Sequence, residues 1–174
     1  MNNRFGKALL LIILIFILSS CALIDANVSK IEEPSVARTP INGKWTVTKI
    51  IFKNEDEEDP FKYKELIGKD VLITEKGFIY GNKSLYNPTF KAKKLESSKY
   101  LQRKYEMDEK KLNISSKYLT IVDIYKDNDI IFEILKTDED RAFIDDSDIF
   151  IQINRISDEV EEEEYNQALE RIKN

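Results

Sequence analysis

The sequence predicts a mainly β domain, an antiparallel meander of about eight short strands followed by one amphipathic helix. Three observations carry this. From Lys44 to Ile156 the chain breaks into short runs rich in β-branched and aromatic residues, separated by short polar turns. That is the pattern of consecutive antiparallel strands. Several runs alternate partially between apolar and polar residues, as strands with one face inward do. Residues 158–173 then switch to helical spacing, with Val160, Tyr165, Ala168, Leu169 and Ile172 on one stripe. A meander of this many strands must close or sandwich to hide its edges.

In order, Lys44–Phe52 reads as the first strand and Asn54–Pro60 as an acidic loop. Phe61–Ile67 reads as one or two helical turns. Lys69–Thr74 and Phe78–Tyr80 read as a hairpin around Glu75-Lys76-Gly77, with the glycine at the position that tolerates positive φ. Gly81-Asn82 and Asn87-Pro88 are turns. Thr89–Leu95 and Lys99–Tyr105 read as strands and Met107–Leu112 as a helical turn. Tyr118–Tyr125, Asp129–Lys136, Arg141–Ile144 and Asp148–Ile156 are the clearest strands. The C-terminal helix spans 158–173, capped by Ser157 or Asp158. Its early acids and late Arg171 and Lys173 suit the helix dipole. The pentapeptide Ser97-Ser98-Lys99-Tyr100-Leu101 recurs at 115–119, which reads either as two strand entries with similar chemistry or as chance.

The N-terminus has a different organisation. Arg4 and Lys7 precede an unbroken apolar run, Ala8–Leu18, of eleven residues. A membrane-spanning helix needs about 20 residues, whereas a charged start, a short apolar core and a small-residue site are the layout of a secretory signal. Residues 22–40 mix small, polar and charged residues with Pro34 and Pro40 as breakers, and read as a flexible tether of roughly 25 Å. The expected organisation is a signal over 1–20, a tether over 21–40 and one domain over 41–174.

Leu18-Ser19-Ser20-Cys21 resembles the bacterial lipobox. The resemblance implies cleavage between Ser20 and Cys21 and attachment of diacylglycerol through the Cys21 sulfur. It also implies a place on the extracytoplasmic face of the cell membrane. Two or more acyl chains make a stable anchor. Cys21 is the chain's single cysteine, so no disulfide or thiol chemistry remains elsewhere.

Composition narrows the function. The chain has no histidine, which removes the usual general base, the His-assisted nucleophiles and most zinc sites. Loss of Arg4 and Lys7 with the signal moves the net charge from −5 to −7. An acidic whole argues against nucleic-acid binding. No cofactor is expected, and the domain is expected to be a monomer. The acidic run 54–59 and Asp145-Asp146-Ser147-Asp148 lack the ligand spacing and central glycine of an EF-hand loop. Glu133, between Phe132 and Ile134, is the one acid on an apolar stretch that could serve a glycosidase pair, against the reading of an outward strand residue.

Charge is unevenly spread. Residues 91–111 carry eight basic residues against four acids, and 138–174 carry thirteen acids against four basic residues. On a membrane-tethered domain the basic segment is a candidate contact with an anionic surface, through Lys91, Lys93, Lys94, Lys99, Arg103 and Lys104. The alternative is ordinary solvation.

Gly43-Lys44-Trp45, at the start of the first strand, is similar to the signature of lipocalins and the wider calycin group. The resemblance implies an eight-stranded antiparallel barrel closed at one end by the tryptophan, with a basic residue from the last strand packed on its ring. Arg155 holds that place here. The other reading makes Trp45 a core residue of some other small β or α+β domain. Val47, Val71, Ile73, Ile121, Phe132, Ile151 and Ile153 are the expected inward positions. The leading expectation is a non-enzymatic lipoprotein that binds a small apolar ligand or an envelope component in its barrel. The alternatives are an interaction or inhibitor module with a filled core and, further off, a carboxylate-based cell-wall hydrolase.

Overall fold

The computed structural model describes residues 39–54, 59 and 61–173. Ser20 and Cys21, the signal, the tether up to 38 and most of the acidic loop lie outside the described residues.

Nine strands form one antiparallel sheet. They are β1 (Gly43–Phe52), β2 (Asp70–Thr74), β3 (Gly77–Tyr80), β4 (Lys83–Tyr86), β5 (Thr89–Glu96), β6 (Tyr118–Lys126), β7 (Asp129–Lys136), β8 (Arg141–Asp146) and β9 (Ile149–Ser157). Helix α1 (Ser97–Tyr105) follows β5 and helix α2 (Glu162–Lys173) follows β9. Short 3-10 turns occupy Lys64–Leu66 and Glu109–Leu112. The spatial order is β4-β3-β2-β1-β9-β8-β7-β6-β5, so every neighbour except the β1–β9 pair is also a neighbour in sequence.

The predicted class is therefore present, with corrections. The count is nine: the short strand β4 between the two predicted turns at 81–82 and 87–88 is gained, and the strand predicted over Lys99–Tyr105 is lost. The sheet is not closed by a ladder: its ends, β4 and β5, are not hydrogen-bonded to each other. Lys99–Tyr105 is a helix and not a strand. Leu101 and Tyr105 pack on the apolar cluster below, while Tyr100 and Lys104 reach Glu133. These are two i, i+4 pairs, a helical and not a strand period. Helix α2 begins at Glu162 and not at 158, because Arg155 pairs with Asp158 at 2.9 Å and the Asn42 amide donates to the Asp158 carbonyl at 3.3 Å.

The hairpin turns follow their chemistry. Asp127 and Asn128 both have positive φ, 51° and 76°, the two-residue primed turn whose twist matches the β6 and β7 strands. Gly77 corrects the expected turn: it lies inside β3. There the missing side chain matters for packing, since a Cβ would stand 1.7 Å from the Tyr165 hydroxyl.

Both faces of the sheet are buried. The inner face joins Trp45 and Val47, Val71 and Ile73, Phe78 and Tyr80, Val122 and Ile124, Phe132 and Ile134, and Ile149, Ile151 and Ile153 in one cluster. Contacts across it, such as Phe78 on Phe132 with centroids 4.9 Å apart, show that the sheet curls until β3 meets β7. Ile121 belongs to the other face, contrary to expectation. It packs with Leu119, Leu135, Phe143 and Phe150 beneath Leu101 of α1, Met107 just after that helix and Leu112 of the following 3-10 turn. Farther along that outer face, α2 covers Leu72 and Ile79 with Tyr165.

The Tyr165 hydroxyl is buried without a hydrogen-bond partner. Removing an unpaired buried hydroxyl costs nothing in lost bonds. Tyr165→Phe is therefore expected to leave stability unchanged or raise it by about 1 kcal/mol. Gly77→Ala, which drives a methyl into Tyr165, is expected to destabilise by about 1–3 kcal/mol. Urea titrations read by Trp45 fluorescence check both.

Candidate functional site

Two constellations stand out. The first is at the start of β1. Trp45 is fully buried, and its indole nitrogen donates to the Ile41 carbonyl at 3.1 Å. The Arg155 guanidinium lies over the ring, 4.2 Å from its centroid. Strand register brings them together, since Trp45 and Arg155 are direct cross-strand partners. Arg155 also donates to the Asn42 carbonyl at 2.6 Å and the Glu139 carbonyl at 2.8 Å. One side chain thus ties the entry segment, the β7–β8 turn and β9 to the tryptophan. The indole nitrogen and the Arg155 Nε and Nη1 each have a structural partner, so the pair holds the end of the domain together.

The second constellation was not legible as a set. Asp123, Glu133 and Asp145 sit side by side on β6, β7 and β8. Like charges directly opposite on a sheet repel, and Asp123 and Glu133 are only 4% and 7% exposed. Cations and hydroxyls from three other elements neutralise the row. Lys93 on β5 reaches Asp123 at 2.8 Å. From α1, Lys104 reaches Glu133 at 2.6 Å and Tyr100 donates to it at 2.5 Å. The Tyr105 hydroxyl lies 2.8 Å from both Glu133 and Asp145. Lys53, just past β1, pairs with Asp145 and donates to the Ser147 carbonyl at 2.5 Å.

The chemistry of this cluster is that of a latch. Burial alone raises the Glu133 pKa, but the bonds from Lys104, Tyr100 and Tyr105 outweigh it and hold the carboxyl below its ordinary value. Burial first, and then the neighbouring carboxylates, push the Tyr100 and Tyr105 hydroxyls upward. A glycosidase acid needs a carboxyl held protonated near neutrality, and Glu133 is shifted the opposite way. Its side chain leaves the inner face as expected of an outward strand residue, yet α1 covers it. Among the described residues no group of acids could hold a metal ion.

The basic segment separates into two kinds of residue. Lys93 and Lys104 are committed to the buried carboxylates. Lys91 and Lys94 are exposed and lie over Tyr125 and Tyr118, 4.7 and 5.4 Å from the ring centroids. Lys99 pairs with Glu96 at 2.8 Å, and Arg103 is an exposed residue on α1. Hence Lys91→Gln and Lys94→Gln are expected to change stability by less than about 1 kcal/mol. Lys93→Gln, which strands the buried Asp123, is expected to cost about 2 kcal/mol or more. Thermal melts of the three variants test the division.

At the end opposite Trp45, apolar side chains stand in solvent. Ile130 and Ile131 in the β6–β7 hairpin are 54% and 42% exposed, and Phe61 is 75% exposed. The β8–β9 turn joins them: Asp148 bonds Lys62 and Tyr63 beside Phe61, and Ser147 shares a groove with Ile130 and Ile131. The turn sequences gave no signal for this rim, because its residues come from segments far apart in the chain.

Comparison with known proteins returned no match to this chain among family models, curated proteins or solved structures.

Proposed function

We propose that this chain is an exported lipoprotein, held at the extracytoplasmic face of the cell membrane through Cys21, whose β domain is a non-enzymatic interaction module. The signal layout and the Leu18-Ser19-Ser20-Cys21 motif support the anchor. One observation carries the choice of module over ligand carrier. The inner positions, among them Trp45, Val71, Ile73, Phe78, Ile134 and Ile151, are filled by packed side chains at 0% exposure. A carrier of the lipocalin kind keeps a cavity there.

We read the sheet as a modified form of the calycin-like barrel that Gly43-Lys44-Trp45 implies. Only Asn87 and Pro88 separate β4 from β5. Asn87 has φ 47°, and Leu85, Phe90 and Ala92 on either side of it pack on the same inner cluster. β4 and β5 read as one kinked strand that pairs with β3 before the kink and with β6 after it. Eight strands would then ring a filled interior, closed through the chain itself.

The apolar rim of Phe61, Ile130 and Ile131 is the surface we assign to partners in the envelope. The triple variant Phe61→Ser/Ile130→Ser/Ile131→Ser is expected to fold, since none of these side chains belongs to the buried clusters. In mild-detergent extracts of the native host, wild-type chain should migrate on native gels as a complex and the variant as the free protein. Identical migration would remove the interaction reading.

A further inference from the structure

We propose that the cleft between α2 and the outer face of β2 and β3 binds a single-chain anionic amphiphile of the fatty-acid class. This goes beyond the module reading and does not depend on the anchor or on the rim. The cleft encloses about 690 Å³ and is floored by Leu72 and Ile79. That volume lies within the usual range of small-molecule sites, about 300–1,000 Å³.

The helix above the cleft is incompletely buried. Its apolar stripe is Tyr165, Ala168, Leu169 and Ile172, and only Tyr165 is buried. Ala168 and Ile172 line the cleft together with Leu66, and all three are half-buried. The far wall is open because Gly68 and Gly81 bear no side chains. A Cβ at Gly68 would meet nothing within 4 Å, and one at Gly81 only Leu66, at 3.8 Å. An alkyl chain laid here would cover the unburied half of the α2 stripe, with a gain of about 25 cal/mol per Å² of apolar surface removed from water.

Charge selects the head group. Of the acids lining the cleft, Asp70 and Glu164 are held by Lys44, at 3.2 and 2.5 Å. Among the described residues, the cleft cations Lys69 and Arg171 have no ion-pair or hydrogen-bond partner through their side chains, against one unpaired acid, Glu65. Two unpaired cations beside the apolar side of the cleft fit a carboxylate whose tail runs along Leu66, Ala168 and Ile172. Arg171 offers the bidentate fork that a carboxylate matches.

The test uses the full chain in membranes and a palmitate analogue carrying a photoreactive diazirine in its chain. After irradiation, adducts are mapped by peptide mass spectrometry. Adducts on 66–72, 79–82 or 168–172, removed by excess palmitate, are the expected result. Lys69→Glu/Arg171→Glu should cut labelling there by about tenfold or more, the equivalent of one lost charge-assisted contact. Lys91→Glu/Lys94→Glu, the same change in net charge elsewhere, should leave it unaltered. The alcohol analogue of the probe, and an anionic diacyl phospholipid bearing the same diazirine, should label the cleft at least about tenfold less. Both pairs of substituted residues are exposed, and Trp45 fluorescence confirms that the variants fold. Adducts only outside the cleft, or undiminished labelling in the Lys69/Arg171 variant, overturn the site. Equal labelling by the alcohol or the phospholipid overturns the ligand class.

Discussion

Replacing Glu133 by alanine is expected to lower the stability of the domain by about 3–5 kcal/mol, the cost of leaving one partner of a buried ion pair uncompensated. Lys104, Tyr100 and Tyr105 would all lose the same acceptor. Glu133→Gln keeps the shape and an acceptor oxygen, so its cost should be smaller, about 1–3 kcal/mol. The contrast matters because an exposed strand glutamate would cost almost nothing in either form. Equilibrium unfolding in urea, read by the fluorescence of Trp45, the chain's one tryptophan, gives both values.

The same residue sets a pH dependence. The folded state holds the Glu133 carboxyl below its ordinary value of 4.5. A carboxyl with a depressed folded pKa contributes stability above its unfolded pKa and loses it as pH falls through the folded one. Wild-type stability should therefore fall on acidification below about pH 4.5, with a shallower decline in Glu133→Gln, which cannot titrate at this position. Parallel acid limbs for the two proteins would contradict the latch.

The second large effect is at the other end of the domain. Trp45→Ala is expected to cost about 3–5 kcal/mol, by loss of buried area and creation of a cavity. Arg155→Ala removes the cation over the ring and its two bonds to carbonyl oxygens, those of Asn42 and Glu139. Charge-assisted bonds contribute about 1.5–3 kcal/mol each, so a loss of similar size is expected. The double variant should be less damaging than the sum of the two, with a coupling of about 0.5–2 kcal/mol, the range for a guanidinium on an indole. Circular dichroism must read these melts, since Trp45 is itself the fluorophore. Strict additivity would mean that the stacked geometry carries no energy.

The parts of the fold legible in the sequence are those that local chemistry decides. The clearest strands, β6 to β9, combine β-branched runs with turns whose residues tolerate positive φ, and they lie where the pattern put them. Trp45 and Arg155 are paired in the sequence only through the resemblance of Gly43-Lys44-Trp45 to the calycin signature, which implies a basic residue of the last strand on the tryptophan ring. The repeated pentapeptide marks the limit. Ser97-Ser98-Lys99-Tyr100-Leu101 opens helix α1, while the copy at 115–119 runs into β6. The two are hydrogen-bonded neighbours, through the Ser97 amide and the Lys117 carbonyl at 3.0 Å. Identical sequence takes opposite structures because the first copy lies over the outer sheet face and the second pairs within the sheet. Tertiary context overrides propensity here.

Glu133 shows the same limit for the site. One-dimensional alternation places it on the outward face of β7, and a strand residue facing outward is ordinarily wet. Only the helix Ser97–Tyr105, lying across that face where the sequence predicts a strand over Lys99–Tyr105, turns it into a buried acceptor. Ile121 lies on the outer face and not the predicted inner one for a related reason. With both faces apolar under α1, alternation no longer tells inside from outside.

The proposed function has the domain displayed at a membrane by one lipidated thiol. The most direct measurement is the intact mass of the full chain recovered from the membranes of a lipoprotein-processing bacterium. The account predicts a polypeptide beginning at Cys21 with a diacylglycerol group on its sulfur. Recovery of a chain that still carries residues 1–20 and an unmodified Cys21 would contradict it.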